Sequence, residues 1–311
     1  MKALDARRSA RAPPQGGNLA NYRRGFRTCR VSELTHSPFR LQSPSGGVLY
    51  MSHQAPLRLV AFLHGFRGGA VRTWREFPSS GSTDAWWEQG DLLFIGFDSV
   101  RETITGVASR LRRELPRLFP NPIDDQLADL GSAVREPPGP YEELVLVGHS
   151  LGGLILRRML ADCAQEWREQ LTADPELPVP DLLRAQTRLF SPASAGFRSA
   201  GALGVLQASP GWVGLNMLLH RSSAFVDLQP GSPMLMATQA RTEALVRAVP
   251  DDMAALRAQV VWANPDNVVN TERYETDYVD DSIDGTSHSK VCKPNAGYDA
   301  PRKFVREGRL A

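Results

Sequence analysis

One tight turn joins a buried strand to a helix near the middle of the chain, and this junction constrains the fold more than any other feature. The run Glu143–Val147 reads ELVLV, which is typical of a strand buried on both faces. The pentapeptide GHSLG (148–152) follows it, and Leu151–Glu169, rich in Leu, Arg and Ala, is readily helical. A strand that passes into a helix through one turn is half of a βαβ unit, so the junction predicts an α/β protein with a parallel sheet.

Other apolar runs alternate with helical patterns along the chain. Short runs bounded by turn residues predict strands at Val48–Met51, Leu57–Leu63, Asp91–Phe97, Thr187–Phe190 and Gln259–Ala263. Apolar residues at helical spacing predict helices within 99–115 and near 236–249. The stretch 121–140, rich in Pro, Gly, Asp and Glu, predicts a surface loop. The alternation predicts one mostly parallel central sheet with helices on both faces.

The composition is that of a folded globular protein. Of 311 residues, 42% are hydrophobic and 23% are charged, which is ample for a buried core and excludes a largely disordered chain. The three cysteines lie far apart and form no Cys-x-x-Cys pair, so we expect neither a disulfide framework nor a structural zinc site. No apolar run approaches the ~20 residues that cross a bilayer, and we expect a cytoplasmic location.

Positive charge is concentrated at the N-terminus. Residues 1–30 carry eight basic side chains against one acid, Asp5, a balance of +7, so the +2 of the whole chain leaves about −5 for residues 31–311. We expect 1–30 to be a disordered tail ahead of one domain, 31–311. Contact with an anionic membrane surface and targeting to an organelle are the alternatives for the tail. The acidic body does not describe a basic nucleic-acid-binding surface, so no nucleic-acid partner is expected.

Ser150, at the centre of the strand-to-helix turn, is the candidate nucleophile. Such a turn strains the serine backbone and lifts the hydroxyl above the sheet edge. Gly148 and Gly152 flank it because neighbouring backbone comes within contact distance there. A serine hydroxyl is a poor nucleophile until a base removes its proton, so the sequence must also supply that base.

His288 is the candidate base. In proteins with this turn the chain order is serine, acid, histidine, and His288 lies in the late polar loop GTSHS. His149 stands inside the turn and is expected to be structural, and His64 is expected to fix a loop. The remaining histidines are His36, His53 and His220.

Asp266 is the candidate acid that orients the base. It follows the predicted strand Gln259–Ala263 in the turn NPDNVV, where a carboxylate can accept the imidazole N–H and offset its charge. Asp227 is the main alternative. Four further acids precede His288 and are expected to form a solvated acidic loop: Asp277, Asp280, Asp281 and Asp284.

Two backbone N–H groups are candidates for stabilising an oxyanion. One belongs to Leu151, directly after the serine, and the other to Phe66 in the loop HGFRGG that follows an early strand. No Gly-x-Gly-x-x-Gly follows a strand and no Walker-type motif occurs, so we expect no cofactor and no metal. The Gly-rich, apolar stretch 197–228 is either a cap over the site or a connecting helix pair, and it favours a hydrophobic acyl-ester or lipid substrate.

From about Leu57 to Phe304 the chain resembles the α/β-hydrolase superfamily, through FLHGF, LVLVGHSLGG, NPDNVV and the late histidine. The motifs SPAS, DLQPGSP and HSKVCKP are similar to those of the lipase-like branch that contains GPI inositol-deacylases and serine-active-site-containing phospholipid-remodelling proteins. The resemblance implies an esterase or lipase with the α/β-hydrolase fold and a small cap after the sixth strand.

We therefore interpret the chain as a serine hydrolase that cleaves carboxylic esters through Ser150, His288, Asp266 and an acyl-enzyme. An amidase or thioesterase would use the same three residues. A catalytically idle binding or signalling module of the same fold is the alternative from another class.

Overall fold

The structure, a computed structural model, describes residues 36–40, 47–54, 56–77, 85–121, 140–198, 226–248 and 253–310. Within these ranges one eight-stranded sheet forms the centre of the molecule. Its strands are β1 His36–Arg40, β2 Val48–Ser52, β3 Arg58–Leu63, β4 Gly90–Ile95, β5 Glu143–His149, β6 Gln186–Phe190, β7 Gln259–Asn264 and β8 Val279–Asp284.

The strand order across the sheet is β1-β2-β4-β3-β5-β6-β7-β8. The first two strands run antiparallel to their neighbours, and all the others pair in parallel. This order and these directions are those of the α/β-hydrolase fold. The predicted mostly parallel sheet is confirmed, and the carboxyl ends of β3, β5, β7 and β8 meet at one edge.

Helices cover both faces of the sheet, as predicted. They are α1 Ala70–Trp74, α2 Ala85–Glu88, α3 Ile104–Glu114, α4 Leu151–Leu171, α5 Pro233–Ala248 and α6 Ala300–Glu307. Side chains alternate along the central strands: Val60 and Phe62 of β3 pack with Trp74 of α1 on one face. Leu59 and Leu63 pack on the other face in the core that also buries α3 and α4. All six residues of β3 are buried, which is why its sequence is almost wholly apolar.

The edge strands β1 and β8 were not predicted, and the expected solvated acidic loop before His288 is wrong. Asp280, Asp281 and Asp284 belong to β8, which pairs in parallel with β7 at the edge of the sheet. Asp277 is buried, and both of its carboxylate oxygens accept hydrogen bonds from Arg157 at 2.9 Å. Edge strands tolerate charge because one flank is open, so an apolar pattern does not reveal them.

Three predicted segments fall largely outside the described residues. These are the N-terminal tail (1–30), the loop 121–140 apart from its ends, and the stretch 197–228 apart from 197–198 and 226–228. In the described part of the chain, no helix combines the length and apolar character that a bilayer crossing requires.

Candidate active site

Ser150 forms the turn between β5 and α4. Its backbone angles, φ 53° and ψ −120°, lie in a region that residues other than glycine seldom adopt. Its N–H donates to the Phe190 carbonyl of β6 at 3.0 Å, and its carbonyl accepts from Gly153 and Ala193 at 3.0 and 3.1 Å. Bonds from α4, β6 and the chain beyond β6 therefore hold the strained turn in place.

The glycines around Ser150 have no room for a side chain. A Cβ on Gly148 would lie 2.7 Å from Gly153 Cα. A Cβ on Gly152 would lie 2.3 Å from the Leu63 carbonyl oxygen and 2.5 Å from that of His64. The first turn of α4 thus packs directly against the carboxyl end of β3, which brings the loop after β3 next to Ser150.

Asp266 and His288 are joined by a hydrogen bond of 2.9 Å between Oδ2 and Nδ1. The other oxygen of Asp266 accepts from the N–H groups of Val268 and Val269 at 2.9 and 3.1 Å. Burial raises the pKa of Asp266, but the His288 bond, the His288 charge and the two backbone bonds together bring that pKa below its ordinary value. The Asp266 carboxylate is ionised and 0% exposed, so its charge acts on the neighbouring imidazole ring without screening by solvent.

His149 packs between the Ser150 turn and His288. Its Nε2 donates to the His288 carbonyl at 2.8 Å, and the two rings lie 4.9 Å apart. A Cβ built on Gly65 would lie 2.9 Å from His149 Nδ1 and 3.0 Å from Ser150 Cβ, so both residues line the same small space. Burial, followed by the His288 charge, lowers the pKa of His149 to about 3, and the ring is neutral.

The Ser150 hydroxyl makes no hydrogen bond to any residue that the structure describes, His288 included. The ring nitrogen of His288 that remains after the Asp266 bond is Nε2, the atom that would serve as the base. Catalytic hydrogen bonds in empty sites are often long and tighten only when substrate is bound.

The loop after β3 is held by His64. Its Nδ1 donates to the Gly65 carbonyl at 2.8 Å, its Nε2 accepts from the Phe97 N–H at 3.3 Å, and its ring stacks on Phe97 at 4.3 Å. Arg67, the residue after Phe66, has φ 53° and donates its N–H to Ser99 Oγ at 2.8 Å. These bonds fix the turn that carries Phe66.

The N–H groups of Phe66 and Leu151 donate to no acceptor among the described residues. For Leu151 this follows from its place as the first residue of α4, since the first N–H groups of a helix have no partner within it. Phe66 lies outside any helix or strand, so its free N–H is the more specific observation. Phe66 follows Gly65 and Leu151 follows Ser150, and a Cβ built on Gly65 would lie 3.0 Å from Ser150 Cβ, so both donors belong to residues next to one close contact.

Asp227, the alternative acid, makes no hydrogen bond to His288 within the described part of the chain. Its backbone carbonyl accepts from Ser232 Oγ, and burial raises the pKa of its carboxyl group. The structure therefore brings His288 together with Asp266 and not with Asp227. Within the same ranges, no group of three or more His, Cys, Asp or Glu side chains is arranged to hold a metal ion.

A cavity of about 1350 Å³ that the sequence did not predict opens beside this cluster. Gly65, Phe66 and His149 form part of its wall, whereas Ser150 and His288 do not line it. The rest of the wall comes from the loop after β3, from α1 and the two residues that follow it, and from the chain between 283 and 302.

No protein-family model matches the chain, and no curated protein is similar to it in sequence. Among solved structures, it is similar to naproxen esterase (carboxylesterase NP) from Bacillus subtilis, with 14% identity, a TM-score of 0.46, and coverage of 95% of this chain and 100% of that one. The lipase BlEst2 from Bacillus licheniformis gives 14% identity, a TM-score of 0.44, and coverage of 86% and 96%. The peroxisomal α/β-hydrolase Lpx1 from Saccharomyces cerevisiae has 12% identity and a TM-score of 0.45, with coverage of 88% of this chain and 89% of that one. These scores are too low to carry an argument, so the fold is assigned from the strand order.

Proposed function

We propose that this protein is a serine hydrolase that cleaves carboxylic esters. The observation that carries the proposal is the buried 2.9 Å bond between Asp266 and His288, next to the strained turn that holds Ser150. A strained serine beside a histidine that is oriented by an ionised carboxylate is the arrangement that nucleophilic acyl transfer requires.

In the proposed reaction, Ser150 Oγ attacks the acyl carbon while His288 Nε2 takes the hydroxyl proton. Asp266 keeps the His288 proton on Nδ1 and stabilises the imidazolium that forms. The tetrahedral oxyanion accepts hydrogen bonds from the N–H groups of Phe66 and Leu151. The leaving alcohol takes the proton from His288, and a water activated by the same ring then hydrolyses the acyl-enzyme and restores Ser150.

Removing the Ser150 hydroxyl tests the proposal. We expect Ser150→Ala to lower kcat for short-chain aryl esters by about 10⁴-fold or more and to abolish labelling by a fluorophosphonate, which reacts only with an activated serine. Ser287→Ala, an exposed serine beside His288, is the matched control and should keep full activity. Undiminished hydrolysis or labelling in Ser150→Ala would overturn the assignment, and an unlabelled wild type would favour the idle binding module.

The family branch, the cap, the acyl group of the substrate and the role of the tail are further proposals. The resemblance to GPI inositol-deacylases and phospholipid-remodelling proteins gains no support from the structures named above. A cap over 197–228, a hydrophobic acyl group in the substrate and a membrane-binding tail over 1–30 are likewise proposed from the sequence. A chain-length series of esters, run beside amides and thioesters of the same acyl groups, identifies the preferred bond and acyl length.

A further inference from the structure

The cavity beside Ser150 lies between two loops that each follow a strand of the sheet. One is the loop after β3, which carries Phe66 and Arg67, and the other follows β8 and carries Lys290 and Lys293. Gly65 lines the cavity, and a Cβ built on it would lie 3.0 Å from Ser150 Cβ, so this glycine borders both the cavity and the candidate nucleophile.

Part of the charge around the cavity is already neutralised. Arg75 pairs with Glu76 at 3.2 Å, and Arg302 pairs with Asp299 at 2.6 Å. Asp284, the remaining acid in the wall, accepts a hydrogen bond from the neutral amide of Asn264 at 2.6 Å and forms no ion pair among the described residues, so one carboxylate stands against the remaining cations.

Four cations in the wall remain: Arg67, Arg72, Lys290 and Lys293. None of them forms an ion pair with an acid in the described ranges, although Arg72 donates to the backbone carbonyl of Arg67 at 2.8 Å. This cluster, which we call the basic rim, contrasts with a body that carries about −5 over residues 31–311.

The basic rim acts on the buried rings of the site. The charge of Lys293 helps to lower the pKa of His149, after burial and the His288 charge, and Arg72 does the same at His64 after burial. Arg72 and Lys293 also line the same cavity as His149 and Gly65, the residues next to Ser150 and His64 in the chain. Unpaired cations around a concave surface focus their field and attract anions.

We propose that the cavity binds an anionic group, a carboxylate or a phosphate, that is part of the ester substrate. The proposal rests on the proposed function. An acyl carbonyl held between the Phe66 and Leu151 N–H groups would place one substituent of the ester against Phe66, which supplies one of these donors and also lines the cavity. Arg67, Lys290 and Lys293 then meet the negative charge of that substituent with charge-assisted hydrogen bonds.

Paired substrates that differ by one anionic group test the proposal. The carboxylate pair is mono(4-nitrophenyl) glutarate against 4-nitrophenyl hexanoate, and the phosphate pair is 1-acetylglycerol 3-phosphate against 1-acetylglycerol. We expect the wild type to prefer the anionic member of at least one pair in kcat/KM, and the two pairs distinguish the two anions. In Lys290→Gln/Lys293→Gln this preference should fall about two- to thirtyfold, mostly through KM, as two partly exposed charge pairs would give.

The matched control is Lys303→Gln/Arg309→Gln, which removes the same charge near the C-terminus, outside the cavity wall. It should keep the preference and hydrolyse the neutral esters as the wild type does. The proposal is overturned if the wild type has no anionic preference, or if the control loses as much as the cavity variant.

Two further outcomes separate the proposal from its premise. In the first, the wild type hydrolyses neutral esters without an anionic preference but binds inorganic phosphate, and Lys290→Gln/Lys293→Gln abolishes that binding. This result would mean that the anion site is separate from substrate binding, which contradicts the proposal. If no ester is hydrolysed and no fluorophosphonate label is taken up, the proposed function has failed and this inference fails with it.

Discussion

Asp266 is kept ionised by its neighbours rather than by solvent. The His288 ring and two backbone N–H groups surround a carboxylate that is 0% exposed. A neutral side chain of the same shape would lose the charge that stabilises the imidazolium. It would also present an amide N–H that favours the wrong tautomer of His288.

We therefore expect Asp266→Asn to lower kcat for a soluble ester by about 10⁴-fold with little change in KM. Asp227→Asn is the matched control because Asp227 is the other candidate acid and makes no bond to His288 among the described residues; its kcat should stay within about twofold of the wild type. Steady-state kinetics on both variants decide between the acids, and a large loss in Asp227→Asn with little in Asp266→Asn would reverse the assignment.

His149 links stability to pH. Its pKa is about 3 in the folded protein and 6.5 ordinarily. Below pH 6.5 the unfolded chain therefore binds a proton at this ring that the folded protein does not bind until about pH 3. The free energy of unfolding should decrease as pH falls through this window, with this ring contributing up to about 1.4 kcal/mol per pH unit.

His149→Gln keeps a donor for the His288 carbonyl but cannot take up that proton. We expect the slope of the free energy of unfolding against pH, measured by denaturant titration between pH 6 and 4, to become shallower. The decrease corresponds to at most one fewer proton taken up on unfolding, or about 1.4 kcal/mol per pH unit. A slope remains, because burial also lowers the pKa of His36 and His64. His53→Gln, at an exposed position, is the control, and an equal change in both variants would contradict this account.

At the scale of elements, the central strands could be predicted from the sequence and the edge strands could not. β3 and β5 are buried on both faces and read as apolar runs. β1 (HSPFR) contains a proline and β8 (VDDSID) contains three acids, and both lie at the edges of the sheet. Pro and charged residues are characteristic of edges, where they hinder pairing with another chain, but alone they resemble loop residues.

The contact between α4 and β3 gives a prediction at this scale. A methyl group on Gly152 would lie 2.3 Å from the Leu63 carbonyl oxygen, which is part of the sheet and cannot move aside cheaply. We expect Gly152→Ala to lower the free energy of unfolding by about 2–4 kcal/mol and to lower activity, because the Ser150 turn shifts with the helix.

Denaturant unfolding beside Gly297→Ala checks this expectation. A Cβ at Gly297 meets nothing closer than 3.8 Å, so this control should change the free energy of unfolding by less than about 0.5 kcal/mol. A stable and fully active Gly152→Ala would mean that α4 and β3 are not packed this closely.

Across the whole molecule, chain order indicated the candidate site but not the cavity beside it. Ser150, Asp266 and His288 each follow a strand, and because parallel strands end at one edge of the sheet, the three residues are expected at that edge. The basic rim joins Arg67 and Arg72 to Lys290 and Lys293 across more than two hundred residues, and only the assembled sheet, in which β3 and β8 end at the same edge, brings those loops to one cavity. No local pattern carries that information.

Net charge is divided unevenly between residues 1–30, which carry +7, and residues 31–311, which carry about −5. Removing residues 1–30 takes the net charge from +2 to about −5. Exposed charges are screened over about 8 Å at physiological ionic strength, so a preference that arises from the basic rim should persist without the charge of residues 1–30.

We therefore expect a chain of residues 31–311 with unchanged thermal unfolding to keep kcat/KM for soluble neutral esters within about twofold, together with its anionic preference, at 0.15 M salt. Binding to vesicles that contain anionic lipid should weaken, since each basic residue near such a surface contributes about 1 kcal/mol. The full chain at raised salt is the control and should lose vesicle binding in the same way. Loss of the anionic preference on truncation would mean that the tail, and not the basic rim, recognises the charge.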